Sequence, residues 1–221
     1  MIKNVIFDLD GTLLDTTEGI LESVKFTVKE LGFPELPHKE ILNFIGPPIQ
    51  ISFKKYYECN EEKAQAAANL FRNYYKDVSL LKAKPYEGVY ELCEYLKENQ
   101  IKMAVATYKR EDYALSLLKH FHFDKYCCSM HGADNNNFLK KEDIVQLCIK
   151  EMGGSTADSV MIGDTIHDAM GAVQAGIPFI AVTYGFGFNT EKDVEKYPHI
   201  GIANKLFDIG RIVINSESCF E

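Results

Sequence analysis

Short apolar runs alternate along most of the chain with longer stretches whose apolar residues recur at helical spacing. Val5-Ile6-Phe7 comes first, followed by Ile101 to Ala106 and a weaker run, Tyr126-Cys127-Cys128-Ser129-Met130; Ser159 to Ile162 and Phe179 to Val182 complete the set. Runs this short and this continuously apolar suit strands of a parallel sheet that is buried on both faces. Helical windows lie between them, over Val89 to Asn99, Glu111 to Phe121, Lys141 to Met152 and Thr165 to Ala175. The last of these meets Gly176, with Pro178 just beyond, a pairing that ends helices. Strand and helix in alternation predict a doubly wound α/β fold.

Residues 16–81 break the alternation. Thr17 to Leu31 is helical by period and closes at Gly32, with Pro34 after it; Ile49 to Tyr57 predicts a second helix. A third starts at Asn60, a good cap, with Glu61 and Glu62 favourable in its first turn, and runs through Ala64, Ala66, Ala67 and Ala68 towards Asp77. The expected organisation is therefore a sheet domain of residues 1–15 and 82–221, with a helical insertion of residues 16–81 directly after the first strand. A bundle joined by two crossings fits a mobile lid and equally a rigid subdomain.

The chain has 221 residues, 46% of them hydrophobic and 25% charged, an ordinary globular composition with enough chain for a sizeable core. A formal net charge of −8 argues against non-specific binding to nucleic acid or an anionic membrane. Ala169 to Thr190 carries no charged side chain, but Gly171, Gly176, Pro178, Gly185 and Gly187 divide it into a helix, a turn, a buried strand and a glycine loop rather than a membrane span. The first apolar run is cut off by Asp8, too short for a secretory signal, so the cytoplasm is the expected compartment. Cys59, Cys93, Cys127, Cys128, Cys148 and Cys219 show no metal-binding or redox spacing and are expected as reduced thiols, mostly in the core.

Four places carry chemistry. The first strand ends in Asp8-Leu9-Asp10-Gly11-Thr12, two carboxylates at the carboxyl end of a strand, where open α/β sheets bind ligands. One Asp can attack phosphorus to form an aspartyl-phosphate; the other can protonate a leaving oxygen and later activate water. A second acidic pair, Asp164 and Asp168 in Gly163-Asp164-Thr165-Ile166-His167-Asp168, follows the fourth apolar run. Its carboxylates are hard oxygen donors of the kind Mg²⁺ takes, although Asp164 as a helix cap is the plainer alternative. Thr107, ahead of Tyr108 and Lys109, offers a hydroxyl and following backbone N–H groups for phosphate oxygens, or else a helix cap. Lys140 and Lys141 stand before a helix, where one lysine can neutralise both nucleophile and phosphoryl charge.

With these residues in this order, the sequence resembles the haloacid dehalogenase superfamily over essentially its whole length. The resemblance implies a Rossmann-like core with Asp8 and Asp164 on adjacent central strands. It implies Asp8 as nucleophile, Asp10 as acid and base, and Mg²⁺ held by Asp8, the Asp10 carbonyl and Asp164, with Asp168 in support. The third motif departs from the commonest Lys-Pro-acid pattern, and a Lys-x-Asp/Glu-Val/Ile variant selects Lys141 over Lys140. Asp8, Leu9, Asp10, Thr107, Tyr108 and Lys141 are the positions this implies around the phosphate. In the insertion, Phe44-Ile45-Gly46-Pro47-Pro48 and Phe71-Arg72-Asn73-Tyr74-Tyr75 are similar to segments of phosphoglycolate-phosphatase-like helical caps, as is Tyr184-Gly185-Phe186-Gly187 to their Tyr-Gly-x-Gly loop. Gly46 and Arg72 are accordingly candidate substrate contacts, with an ordinary turn and an ion-paired arginine as the alternatives.

The resemblance implies a Mg²⁺-dependent phosphatase acting on a small phosphorylated metabolite, as a monomer or homodimer without nucleic-acid or membrane partners. A dehalogenase lacks the second Asp of the first motif, which is present here as Asp10. A phosphosugar mutase or a 5′-nucleotidase on the same scaffold stays open. A phosphonate hydrolase would need a Schiff-base lysine, and Lys25, Lys29, Lys39, Lys54 and Lys55 have no distinctive context. Retention of every carboxylate argues against a binding protein on a disabled scaffold.

Overall fold

The structure, a computed structural model, describes residues 1–134 and 138–215; Cys219 lies outside the described residues. Strand β1 (Asn4–Phe7) leads to the crossing strand β2 (Leu14–Asp15) and helices α1 (Thr17–Glu30), α2 (His38–Ile41), α3 (Ile49–Tyr57) and α4 (Glu61–Tyr74). The crossing strand β3 (Lys84–Pro85) returns the chain to α5 (Val89–Glu98), β4 (Lys102–Arg110), α6 (Glu111–His120) and β5 (Cys127–Ala133). Helix α7 (Lys141–Met152), β6 (Ser159–Gly163), α8 (Ile166–Ala175), β7 (Phe179–Val182), α9 (Glu191–Val194), β8 (Gly201–Ala203) and α10 (Leu206–Asn215) follow. Two compact units result, Met1–Leu14 with Pro85–Glu221, and Asp15–Lys84.

The first unit is built on a six-stranded sheet in the order β5-β4-β1-β6-β7-β8, parallel throughout. Phe7 sits opposite Val105 on one side and Ile162 on the other, so β1 is central and its side chains are fully covered. Period-two alternation turns Ile6, Ala104 and Met161 to one face, where Ile144, Val145 and Cys148 of α7 and Ala169 and Ala172 of α8 cover them. Each such Val, Leu or Ile contributes about 1.5–3 kcal/mol relative to exposure, which fixes the register of the central strands. Strand order reverses around β1, so the switch point of the sheet lies at the ends of β1, β4 and β6.

All five apolar runs are strands, and β4 and β5 extend beyond them to Arg110 and Ala133. Strand β8 and helix α10 were not expected from the sequence; β8 is a three-residue edge strand, too short to leave a pattern. The uncharged stretch resolves into α8, a left-handed Gly176, β7 and a loop, and among the described residues no helix is long and apolar enough to cross a membrane. Cys93, Cys127 and Cys148 are buried, Cys59 is half-buried and Cys128 exposed, all as free thiols.

The helical unit draws its core from aromatics. Phe53 is fully buried; Phe33 stacks on Tyr57 at 4.4 Å and Phe44 meets Phe53 edge-on at 5.2 Å. Asn60 caps α4 as expected, its side-chain oxygen accepting the Lys63 N–H at 2.9 Å. Lys82 belongs with the helices: its carbonyl accepts the Gly19 N–H at 3.0 Å and its ammonium lies 2.6 Å from Glu22.

Candidate active site

Asp8 continues the pairing of β1 by one residue, its N–H donating to Ile162 at 2.8 Å, and its carboxylate is thereby set at the carboxyl edge of the sheet. The chain then turns tightly around Leu9, whose carbonyl accepts the N–H groups of Thr12, Leu13 and Leu14 at 3.3, 3.0 and 3.0 Å. Gly11 makes the turn possible with φ +83°, and any Cβ there would run into the Asp164 carboxylate and the Phe186 ring. Glycine is thus required both for its backbone conformation and for the closeness of the second acidic motif.

Lys141 opens α7 and is 1% exposed. Its ammonium lies 2.6 Å from Asp8 Oδ1 and 2.7 Å from Asp168 Oδ1. Lys140 is exposed, and its N–H donates to Asp143 at 2.9 Å, so of the two lysines Lys141 is the one at the carboxylates. The other oxygen of Asp168 accepts the Thr165 N–H at 3.0 Å and the Thr165 hydroxyl at 2.6 Å. Thr165, rather than Asp164, therefore caps α8. Asp164, wholly buried, accepts the N–H groups of Phe186 and Gly187 on Oδ2 at 2.7 and 3.1 Å and the Thr12 hydroxyl on Oδ1 at 3.4 Å. One oxygen from each of Asp8, Asp164 and Asp168 falls within a 4.8 Å group.

Three buried carboxylates thus face one ammonium. Burial foremost, with the Asp168 carboxylate adding to it and Lys141 opposing, lifts Asp8 to about 7. Burial, Asp168 and Asp8 lift Asp164 to about 8 against the pull of the Phe186 and Gly187 N–H groups. For Lys141 burial works against the charge, but Asp168 and Asp8 outweigh it and hold the ammonium above its ordinary value. With Asp8 and Asp164 ionised the cluster holds more negative charge than Lys141 offsets, and its hard oxygen donors match those a divalent cation takes.

Thr107 lies buried within β4 and its hydroxyl accepts the Lys109 N–H at 3.1 Å; it caps no helix, since α6 starts only at Glu111. Tyr108 follows in β4 and is exposed. Its hydroxyl accepts the Lys141 N–H at 2.9 Å, and the ring packs edge-on against His167 at 5.5 Å and 5.7 Å from the Lys141 ammonium. The Asp10 carboxylate pairs with Lys109 at 3.0 Å. Gly46 and Arg72 lie in the helical unit. Gly46 occupies an exposed turn at φ +101°, and the Arg72 guanidinium donates to Gln50 at 2.7 Å and Asn69 at 3.4 Å.

A family model described as haloacid dehalogenase-like hydrolase matches residues 5–182. The chain belongs to the haloacid dehalogenase-like hydrolase family. It is 34% identical over 197 residues to a 5′-nucleotidase of Pseudomonas aeruginosa, covering 89% of each chain. It is 29% identical to a phosphoglycolate phosphatase of Agrobacterium fabrum, covering 82% of this chain and 80% of that one. The solved structure of a predicted phosphatase from Clostridium acetobutylicum superposes with a TM-score of 0.86 at 31% identity, over 97% of this chain and 99% of that one.

Three features of this haloacid dehalogenase-like hydrolase escaped the sequence reading. Lys109 carries no motif spacing; its role depends on β1 and β4 being neighbours. The Phe186 and Gly187 donors are backbone groups with no residue signature beyond the glycines around them. A Cβ on Gly185 would collide with the Gly11 carbonyl and with Asp164, so the Tyr-Gly-x-Gly loop is the packing partner of both acidic motifs. Tyr184 adds a tie, its hydroxyl donating to the Thr12 carbonyl at 3.0 Å.

Proposed function

We propose that this hydrolase is a Mg²⁺-dependent phosphatase of small phosphomonoester metabolites that works through an aspartyl-phosphate on Asp8. The observation that carries the reading is the bridge from Lys141 to Asp8 and Asp168 at 2.6 and 2.7 Å, with Asp164 in the same group of oxygens. It joins the two acidic motifs in one buried cluster. Relatives named 5′-nucleotidase and phosphoglycolate phosphatase support the phosphate ester as substrate.

An oxygen of Asp8 attacks phosphorus in line with the ester oxygen. As the P–O ester bond breaks, Asp10 gives its proton to the leaving oxygen. Asp10, now a carboxylate, then takes a proton from water; the water oxygen attacks phosphorus, the bond to Asp8 breaks and inorganic phosphate leaves. Lys141 offsets negative charge on Asp8 and the phosphoryl oxygens, while Thr107 and the N–H groups of Leu9 and Asp10 supply donors to them. Asp168 keeps Lys141 in place. Asp8, the Asp10 carbonyl and Asp164 would hold the Mg²⁺, which when bound neutralises charge between Asp8 and the phosphate.

The test is phosphate release from p-nitrophenyl phosphate with and without Mg²⁺. Mg²⁺-dependent turnover lost in Asp8→Asn is expected. Undiminished turnover in that variant rejects the covalent route, and turnover surviving exhaustive chelation rejects the metal. Identity of 34% to the 5′-nucleotidase over 89% of the chain favours a second reading within this class, hydrolysis of nucleoside monophosphates. A panel of phosphoglycolate, nucleoside monophosphates and sugar phosphates ranked by kcat/KM separates the two.

A further inference from the structure

Two residues after Asp8, the Asp10 carboxylate is paired with a largely covered lysine, Lys109. The Lys109 ammonium lies 3.0 Å from Asp10 Oδ1 and 3.1 Å from Oδ2, and the two side chains are 9% and 22% exposed. An ammonium bonded to both oxygens of one carboxylate restrains the side-chain torsions of that carboxylate, which at a strand-end turn would otherwise sample several rotamers. Lysines are normally solvated, so a lysine with its stem this covered and its head on an acid is a placed group.

Lys109 is itself held from below. Its N–H donates to the Thr107 hydroxyl at 3.1 Å. Its carbonyl lies so near Gly132 of β5 that any Cβ there would strike it and the Glu111 backbone. The Glu111 carboxylate accepts the Gly132 N–H at 3.2 Å. A chain of contacts thus runs from β5 through the end of β4 to the carboxylate that follows β1.

We propose that Lys109 is a positioning residue for Asp10, fixing the carboxylate through which the proton reaches the leaving oxygen. The proposal rests on Asp10 being the acid and base of the reaction. Its signature is selectivity for the leaving group. Phenolate is a poorer leaving group than p-nitrophenolate and needs the proton more, while attack by Asp8 is common to both esters. The ratio kcat/KM stops at formation of the phosphoenzyme, so a later defect in its hydrolysis does not enter.

The experiment compares kcat/KM for phenyl phosphate and p-nitrophenyl phosphate in the wild type, Lys109→Met, Lys109→Arg, Asp10→Asn and the Lys109→Met/Asp10→Asn double variant. Lys109→Met is expected to lose about tenfold or more on phenyl phosphate and less than about threefold on p-nitrophenyl phosphate, a loss that starts below the roughly 10²- to 10⁴-fold of a general acid removed outright because Asp10 itself is kept. Lys109→Arg restores most of the loss, and Lys109→Met adds nothing in the Asp10→Asn background. Equal losses on the two esters, or a further loss in the double variant, overturn the proposal. If Lys109→Met does not fold, Gly132→Ala, which displaces the Lys109 backbone but keeps the ammonium, carries the same expectation. An unchanged ratio in Asp10→Asn itself would reject the role of Asp10, whereas a ratio shifted there but not in Lys109→Met rejects only the role of Lys109.

Discussion

Lys141 and Asp8 in the sheet unit approach to 2.6 Å, and Lys54 and Glu61 in the helical unit to 2.7 Å. The side chains of the first pair are 2% and 9% exposed, and those of the second 56% and 70%. The contact is chemically the same, so the surroundings decide what it does. In water the pair is screened and holds two long side chains at an entropic cost. Under the sheet edge, desolvation opposes both charges, and Asp168 and Asp164 add like charge. A buried cluster of this kind is poor evidence for stability, and the aromatic core of the helical unit has nothing like it. The sheet unit holds unfavourable charge where its strand ends can use it.

The comparison breaks most sharply at Asp8. Asp8→Asn keeps the shape of the side chain and removes the carboxylate proposed as nucleophile, so kcat should fall by about 10³-fold or more. Steady-state phosphate release measures it. The folded chain, relieved of one buried charge, should melt no lower than the wild type in the absence of metal.

Lys141→Met comes next. It leaves three buried carboxylates without their ammonium, and breaking a buried pair from one side costs about 3–5 kcal/mol unless the acids take up protons. Activity should drop by about 10²- to 10³-fold, the range for loss of one preorganised charge-stabilising group. Chemical denaturation near neutral pH should show the loss in stability, and the same measurement near pH 5 a smaller one. Equal losses at both pH values would mean that the lysine acts through packing instead of charge.

A pH series sharpens the account of the carboxylates. A carboxyl lifted above its ordinary value binds its proton more tightly in the folded chain than in the unfolded one. Its contribution to stability is therefore complete below the ordinary 3.8 and is lost as pH rises towards about 7 for Asp8 and about 8 for Asp164. Asp164→Asn removes one such group. The Tm of the metal-free variant should accordingly gain on that of the wild type between about pH 5 and about pH 8. Mg²⁺ should reverse the order, because it binds the ionised carboxylates that the variant lacks, and its stabilisation of the wild type should grow across the same interval. A constant Tm difference across the series would show that these acids are ionised in the folded chain throughout.

The two regions also differ in how far they could be read from residues alone. Asp8 and Asp164 were legible because each follows an apolar run, and Asp168 because it lies one turn further along the helical window; the residues alone left Lys140 and Lys141 open, and the family resemblance selected Lys141. Lys109 was not legible, because a lysine two residues beyond Thr107 becomes a partner of Asp10 only through the pairing of β1 with β4. The Phe186 and Gly187 donors belong to the backbone and carry no letter. In the helical unit α1, α3, α4 and the Asn60 cap followed from period and capping chemistry, while the four-residue α2 did not. The ring pairs Phe33–Tyr57 and Phe44–Phe53 did not, since nothing in spacing says which aromatic meets which across a loop. Strand β8 was lost for the opposite reason, three residues at an edge giving no period at all.

The smallest effect belongs to the pair that looks most like the active one. Lys54→Ala removes an ammonium 2.7 Å from Glu61, yet water already surrounds both groups, and Glu61 keeps the favourable position in the first turn of α4 that Asn60 caps. The Glu61 side chain raises the Lys54 pKa through its hydrogen bond and charge, but exposure lets solvent replace that contact at little cost. The variant should melt within the error of the wild-type scan, and added salt should erase whatever difference remains. Asn60→Ala in the same loop should cost more than Lys54→Ala, about 1 kcal/mol, because it strips an N–H of α4 of its acceptor. Thermal melts of the two variants side by side test the rule behind the whole comparison. If the exposed pair proved the more costly to remove, distance rather than burial would govern these contacts, and the contrast with Lys141 would fail.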